Sequence, residues 1–316
     1  MTLPSTFSVG VIIAAYNAED SVARAVRSAL EEPEVTEVWL VDDKSPDQTV
    51  ASALAADDGT GRLHLIRQKI NLGPAAARNR ALAQSRAKWV CVLDADDYFL
   101  PGRIGRLLAR SADADLVADE LIRVHETDET PVFGDFAAAP AARSIDLAAF
   151  IAGNVGRKGE TRRELGFIKP LMRRDLLTQL GLVYETGLRL GEDYMLYATA
   201  LARGARLNLS PPLGYVAVVR PDSLSGRHDI EDLRALRDSD DQIAALRPLT
   251  PSERDALSAH RTSVDKRLQW RRLIEAVKAR DAPMAASTFT SLPVAASLIG
   301  ELWTQVLERT GLKPVS

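Results

Sequence analysis

Five apolar, β-prone residues, Trp89-Val90-Cys91-Val92-Leu93, run straight into Asp94-Ala95-Asp96-Asp97. The run has the length of a buried strand. Ionised carboxylates cost most inside such a strand, so three at its end require water or a compensating charge. The strand must therefore stop where its sheet meets a cleft or the surface. A divalent cation is one source of that charge, because hard cations take carboxylate oxygens and bridge to phosphates. Solvated turn acids are the ordinary alternative.

The same pattern recurs upstream. Ser8–Ala14 is apolar, and Val22, Ala25, Val26, Ala29 and Leu30 then follow at helical spacing. Glu37–Val41 reads as a second strand closed by Asp42 and Asp43, and Ser45-Pro46-Asp47-Gln48 reads as a capping box opening a helix. Leu63–Ile66 is a third strand, Gly73-Pro74 starts a helix carrying Arg78 and Asn79, and Lys88–Leu93 is the fourth strand. Pro101 begins a helix with Ile104, Leu107 and Leu108 inward. Such alternation predicts an α/β fold with a mostly parallel, Rossmann-like sheet flanked by helices. Ligands bind such sheets beyond the carboxyl ends of the strands. Tyr16-Asn17, Asp42-Asp43 and Asp94–Asp97 all fall at those ends.

Further along, Asp115–Val124 is expected to be one strand, Asp146–Gly153 a short helix and Gly153–Glu164 a polar, basic loop. Gly191–Arg203 reads as a helix stopped by Gly204, and Leu213–Val219 as a strand. From Asp229 the pattern is helical, with a capping box at Thr250-Pro251-Ser252-Glu253. The expected division is a domain over 1–228 and a helical extension over 229–316.

A net charge of −3 gives no reason to expect nucleic acid as a partner. The single cysteine, Cys91, allows no intramolecular disulfide and fits a reducing, cytoplasmic setting. Met1–Phe7 lacks the basic start and apolar core of a signal peptide. Ala282–Gly300 carries no charge, but Pro283, Pro293 and its hydroxyl residues favour a buried or interfacial helical pair over a membrane span. Arg261–Arg280 is amphipathic and basic, with Val264, Leu268, Leu273, Ile274 and Val277 on one side. It reads either as a helix packed on the rest of the chain or as part of a peripheral membrane contact through residues 261–300.

Five blocks occur in a fixed order: Ala14-Ala15-Tyr16-Asn17, Val41-Asp42-Asp43-Lys44-Ser45-Pro46-Asp47, Gly73-Pro74-Ala75-Ala76-Ala77-Arg78-Asn79, Leu93-Asp94-Ala95-Asp96-Asp97 and Gly191-Glu192-Asp193. Together they resemble the family 2 glycosyltransferases of GT-A fold, of the bacterial exopolysaccharide type, over about residues 8–228. The resemblance implies an inverting transfer of a sugar from a nucleotide diphosphate donor, with a lean toward UDP, assisted by Mn²⁺ or Mg²⁺. The acceptor would be a glycan or lipid-linked saccharide, met in the cytoplasm or at the inner face of the membrane. Ala14 and Tyr16 would flank the nucleobase, with Ala14 standing where many members carry Pro or Thr. Asp43 would accept from a pyrimidine N3–H, Asp42 would brace the turn, and Arg78 would reach the base or diphosphate. Asp96 would be the metal ligand, Asp94 a ribose or metal-water contact, and Asp97 a support from behind. Asp193 would be the general base, and Glu192 would bind acceptor hydroxyls. A late loop carries Arg220, Ser223, Ser225 and Arg227 as diphosphate contacts, with His228 as a weaker metal ligand. Lys44 replaces a frequent glycine. His64, His125 and His260 read as structural or solvent-facing. The competing reading is a catalytically silent sugar-nucleotide-binding subunit of a polysaccharide assembly complex.

Overall fold

The computed structural model describes residues 8–125, 136, 140–156, 164–219 and 229–310. Its centre is β1 (Val9–Ala15), whose side chains are buried on both faces, as the unbroken apolar run requires. Val9, Val11 and Ile13 enter one core and Ile12 enters the other. The chain continues through α1 (Val22–Leu30), β2 (Val35–Asp42), α2 (Thr49–Leu54), β3 (Leu63–Arg67), α3 (Pro74–Gln84) and β4 (Trp89–Val92). β2 and β4 lie parallel on either side of β1, and β3 lies parallel beyond β2. The strand-end groups at Tyr16, Asp42-Asp43 and Asp94–Asp97 therefore emerge on one edge.

Next come β5 (Tyr98–Phe99), α4 (Arg103–Leu108), β6 (Leu116–Asp119), β7 (Ile122–His125), β8 (Arg143–Ile145) and α5 (Leu147–Ala152). β9 (Leu171–Arg173), α6 (Arg174–Gln179), α7 (Glu192–Ala202), β10 (Leu207–Ser210) and β11 (Tyr215–Val219) follow. The main sheet has the order β3-β2-β1-β4-β9-β6-β10-β8, and a small sheet has the order β5-β11-β7. β9 runs antiparallel to both β4 and β6, and β8 antiparallel to β10, so the sheet is mixed at that end.

The C-terminal region is helical: α8 (Ile230–Ala245), α9 (Pro251–Ala279), α10 (Ala282–Ser287) and α11 (Leu292–Thr310). Leu233, Leu236 and Ile243 of α8, and Leu257, Val264 and Leu268 of α9, share one apolar cluster with the sheet and α7. Leu273 of α9, with Val294 and Leu298 of α11, forms a separate cluster.

Three local expectations need correction. The Ser45–Gln48 capping box does not form, and the helix begins at Thr49. The turn's polar groups tie two loops of the sheet edge together instead: Ser45 Oγ accepts from Asn17 N–H at 3.0 Å and Asp47 from Glu19 N–H at 3.1 Å. The single strand expected over Asp115–Val124 is two, in different sheets. It breaks after Asp119, which is fully buried against Arg103 at 2.7 Å and accepts the N–H groups of Leu213 and Tyr215. The buried or interfacial helical pair expected over Ala282–Gly300 forms but is not buried as a whole, with Thr288, Val294 and Leu298 its buried residues. Among the described residues no helix is long and apolar enough to cross a membrane. Within Arg261–Arg280, Val264, Leu268 and Leu273 are buried and Val277 is exposed.

Candidate active site

The end of β2 organises the end of α3. Asp43 is buried, and its carboxylate accepts from Leu72 N–H at 2.8 Å, Gly73 N–H at 2.7 Å and Gln68 Nε2 at 2.7 Å. Gly73, at φ +87°, is the N-cap of α3, and Pro74 follows at its first turn. A carboxylate has about four acceptor positions, so three of Asp43's are committed to the chain. Asp42 is fully buried, accepts from Ser45 N–H at 3.1 Å and pairs with Arg67 Nε at 3.1 Å, which braces the turn. Lys44, between them and the serine, sits at φ +64°, the left-handed region where glycine is unstrained.

α3 thereby delivers Arg78 to the centre of the site. Its guanidinium is only 5% exposed and contacts three acids: Asp94 Oδ1 at 2.8 Å, Glu192 Oε1 at 2.8 Å and Asp193 Oδ1 at 3.4 Å. It also stacks over the Tyr184 ring at 5.3 Å. Burial opposes its charge, but Asp193, Asp94 and Glu192 outweigh that and raise its pKa well above the ordinary value. Both terminal nitrogens of Arg78 are engaged with carboxylates.

A second cation was not legible in the sequence. Lys169 is 4% exposed, with Nζ 2.6 Å from Asp193 Oδ2 and 3.0 Å from Asp94 Oδ2. Its only signal is a lone lysine inside Phe167-Ile168-Lys169-Pro170-Leu171-Met172, next to β9. Burial lowers its pKa, but Asp193 and Asp94 reverse this and raise it. Two buried cations therefore face the three carboxylates of Asp94, Glu192 and Asp193, as buried charges require.

Asp193 stands in the first turn of α7, after Gly191 at φ +82°. Besides the two cations, Tyr197 donates to its Oδ1 at 3.3 Å. At Glu192 burial is the largest effect and raises the pKa; Arg78 pulls it down and Asp193 pushes it up. At Asp94 burial pushes upward, but Lys169 and then Arg78 prevail and bring it to about 2. Asp97 is buried behind the motif, accepting from Tyr215 Oη at 2.8 Å and Val218 N–H at 2.9 Å. Burial, then the charges of Asp94 and Asp96, push it up to about 7.

Asp96 is half-buried on the turn after β4, its backbone carbonyl accepting from Arg24 at 2.9 Å. Tyr16 is half-exposed beyond β1, and Ala14 is partly buried. Arg220, Ser223, Ser225, Arg227 and His228, and the loop over 157–163, lie outside the described residues. Among the described residues no group of three or more His, Cys, Asp or Glu is placed to hold a metal ion. Asp94 and Asp96 carry hard carboxylate donors, and both Asp94 oxygens already pair with a cation, Oδ1 with Arg78 at 2.8 Å and Oδ2 with Lys169 at 3.0 Å. These donors fit an ion that takes one or two carboxylates and completes its shell on ligand phosphates, rather than one held in a protein cage.

The model of glycosyl transferase family 2 matches residues 10–135. The chain is 46% identical over 276 residues to the succinoglycan biosynthesis protein ExoU of Rhizobium meliloti, covering 87% of this chain and 80% of that protein. It is 39% identical to the succinoglycan biosynthesis protein ExoO of the same organism, over 69% of this chain and 62% of the relative. In fold it is similar to S. aureus TarS in complex with UDP-GlcNAc, with a TM-score of 0.56 at 18% identity over 89% of this chain and 90% of the other. It is also similar to the mannosyltransferase PcManGT of Pyrobaculum calidifontis in complex with GDP-Man and Mn²⁺, with a TM-score of 0.59 at 18% identity over 95% and 87%. These solved structures share the GT-A architecture.

Proposed function

The chain belongs to glycosyl transferase family 2, and from that premise we propose that it is an inverting hexosyltransferase of exopolysaccharide assembly. The donor is a nucleotide diphosphate sugar, UDP foremost, and the acceptor is a glycan or lipid-linked saccharide. The observation that carries the reading is the gathering of Asp94, Glu192 and Asp193 around Arg78 and Lys169, beyond the carboxyl ends of β1 and β4. Relatives support the substrate class: ExoU and ExoO are named for succinoglycan biosynthesis, and WfaP of Escherichia coli for glucosyl transfer from UDP-Glc to a diphosphoundecaprenol-linked sugar.

In this reading the acceptor oxygen attacks the anomeric carbon as the bond to the diphosphate oxygen breaks. Asp193 takes the hydroxyl proton in the same step. Lys169 and Arg78 hold that carboxylate in one geometry, and Glu192 orients acceptor hydroxyls. Asp96, with Asp94 beside it, would hold Mn²⁺ or Mg²⁺, which supplies charge to offset the negative charge growing on the departing nucleoside diphosphate. Ala14 and Tyr16 flank the base. Asp43 offers its remaining acceptor position to a pyrimidine N3–H, while shaping the loop beneath.

The acceptor class also accounts for an exposed face on α11. Leu292 (88% exposed), Ile299 and Trp303 (64%) lie on the side of α11 away from the cluster that seats Val294 and Leu298. Residues 261–316 carry nine Lys/Arg against five Asp/Glu, although the whole chain is acidic. An anionic lipid surface on the cytoplasmic side suits that combination. Within and beyond the expected contact region of 261–300, α11 is the element that would carry the membrane contact, because the apolar side of α9 is mostly buried. Trp303→Glu should abolish flotation with phosphatidylglycerol vesicles; undiminished flotation, or concentration-dependent dimerisation without flotation, would exclude the contact.

A thermal-shift screen of UDP-, GDP- and dTDP-sugars with Mn²⁺ identifies the donor, since a ligand of the native state raises Tm. Asp96→Asn should abolish transfer, and Asp193→Asn should abolish transfer while the donor still binds. Full transfer by both variants would overturn the reading.

A further inference from the structure

Behind Asp193 lies a buried polar chain that the proposed chemistry does not use. Tyr194, the next residue on α7, donates from Oη to Asp240 Oδ1 of α8 at 2.8 Å. The imidazole Nδ1 of His260 on α9 lies 2.8 Å from Asp240 Oδ2. All three residues are buried, so this is no surface pairing. The Tyr194 ring is also clamped face to face between Phe150 (centroids 5.8 Å apart, 15° between planes) and His260 (4.5 Å, 24°). Tyr194 is thus fixed on both faces and at its tip by α5, α8 and α9.

The same helices hold α7 at both ends. A Cβ on Gly191 would lie 2.5 Å from Leu236 Cδ1, so α8 packs directly on the backbone that starts α7. Arg247, after α8, donates to the carbonyl of Ala202 in the last turn at 2.8 Å. Consecutive helix residues project about 100° apart, so locking Tyr194 on one side fixes where Asp193 points on another. A carboxylate about 5 Å from the helix axis moves about 1 Å for each ~10° of helix rotation, and a displacement of that size can cost up to about 10²-fold in rate.

We propose that Tyr194, Asp240 and His260 are positioning residues for Asp193, which makes α8 and α9 part of the catalytic unit. The proposal rests on reading Asp193 as the base. Tyr194→Phe keeps the ring sandwich and removes only the anchor, and Asp240→Asn keeps the shape. With UDP-glucose and Mn²⁺, slow transfer to water reports the same base with water in the acceptor's place. Both variants should lower kcat about tenfold while KM and the UDP-induced rise in Tm stay at wild-type values. Amide exchange over residues 191–197 should quicken in Tyr194→Phe while β1 and β4 keep their protection. Wild-type kcat and unchanged exchange in Tyr194→Phe would overturn the positioning role. If Asp193→Asn itself retains full activity, the base assignment falls instead, and the two failures are distinct.

Discussion

Nζ of Lys169 lies 2.6 Å from Oδ2 of Asp193, with both side chains buried and the same ammonium 3.0 Å from Asp94. Removing one partner of a buried pair leaves an uncompensated charge, at a cost of about 3–5 kcal/mol. Lys169→Met should therefore lower Tm by several degrees and reduce transfer by more than about 10²-fold, since Asp193 loses its closest anchor. Lys169→Arg keeps the charge and should recover most of the stability but not the rate. Thermal denaturation and donor turnover measured on the same preparations check both.

Lys44 occupies the left-handed region at φ +64°, in the turn between Asp43 and Ser45. That conformation costs an ordinary L-residue about 1–2 kcal/mol, whereas glycine adopts it freely at some cost in unfolded-chain entropy. Lys44→Gly should accordingly raise stability by up to about 1 kcal/mol. Chemical denaturation of the two proteins decides it, and a loss of stability would mean that the lysine side chain holds the turn.

The reach of the sequence follows from where each signal is local. β1, β4 and the N-terminus of α3 were legible because apolar runs, Gly73 and Pro74 encode them in adjacent residues. Asp97 as a support behind the motif was legible too, and it is bonded to Tyr215 and Val218. Lys169 was not, because its partners are 75 and 24 residues away and a lone lysine carries no pattern. The capping box at Ser45 failed because the Ser45 and Asp47 side chains found long-range partners at Asn17 and Glu19. His260 read as structural or solvent-facing; it is buried, and its link to Tyr194 through Asp240 exists only once α8 folds over α7.

Glu253 closes the capping box of α9 and holds Arg247 at 2.7 Å. The hydrogen bond from Arg247 is the main cause that brings its pKa from an ordinary 4.5 to about 2. A folded-state pKa below the unfolded one means that the unfolded chain binds the extra proton first. This contribution is complete above about pH 4.5 and is lost as pH falls toward 2. It is about 1–2 kcal/mol after allowance for the solvent-facing Arg247 side. Glu253→Gln should lower Tm at pH 7 and narrow its gap to wild type by pH 3; a gap independent of pH would rule out the ion pair as the cause.

Gly191 joins the proposed catalytic helix to the C-terminal helices through a contact that admits no side chain. At φ +82° an added Cβ is strained, and it would sit 2.5 Å from Leu236 Cδ1. Gly191→Ala should therefore combine backbone strain with a clash, destabilising the protein by about 2–3 kcal/mol. Leu236→Ala alone opens a cavity in the shared core and should cost about 2–4 kcal/mol. The two changes relieve one another, because the cavity receives the new methyl group, so the double variant should be less destabilised than the sum by about 1 kcal/mol or more. Strict additivity in a denaturation cycle would mean that α8 does not bear on the start of α7, and the route by which the C-terminal helices reach Asp193 would be confined to Tyr194.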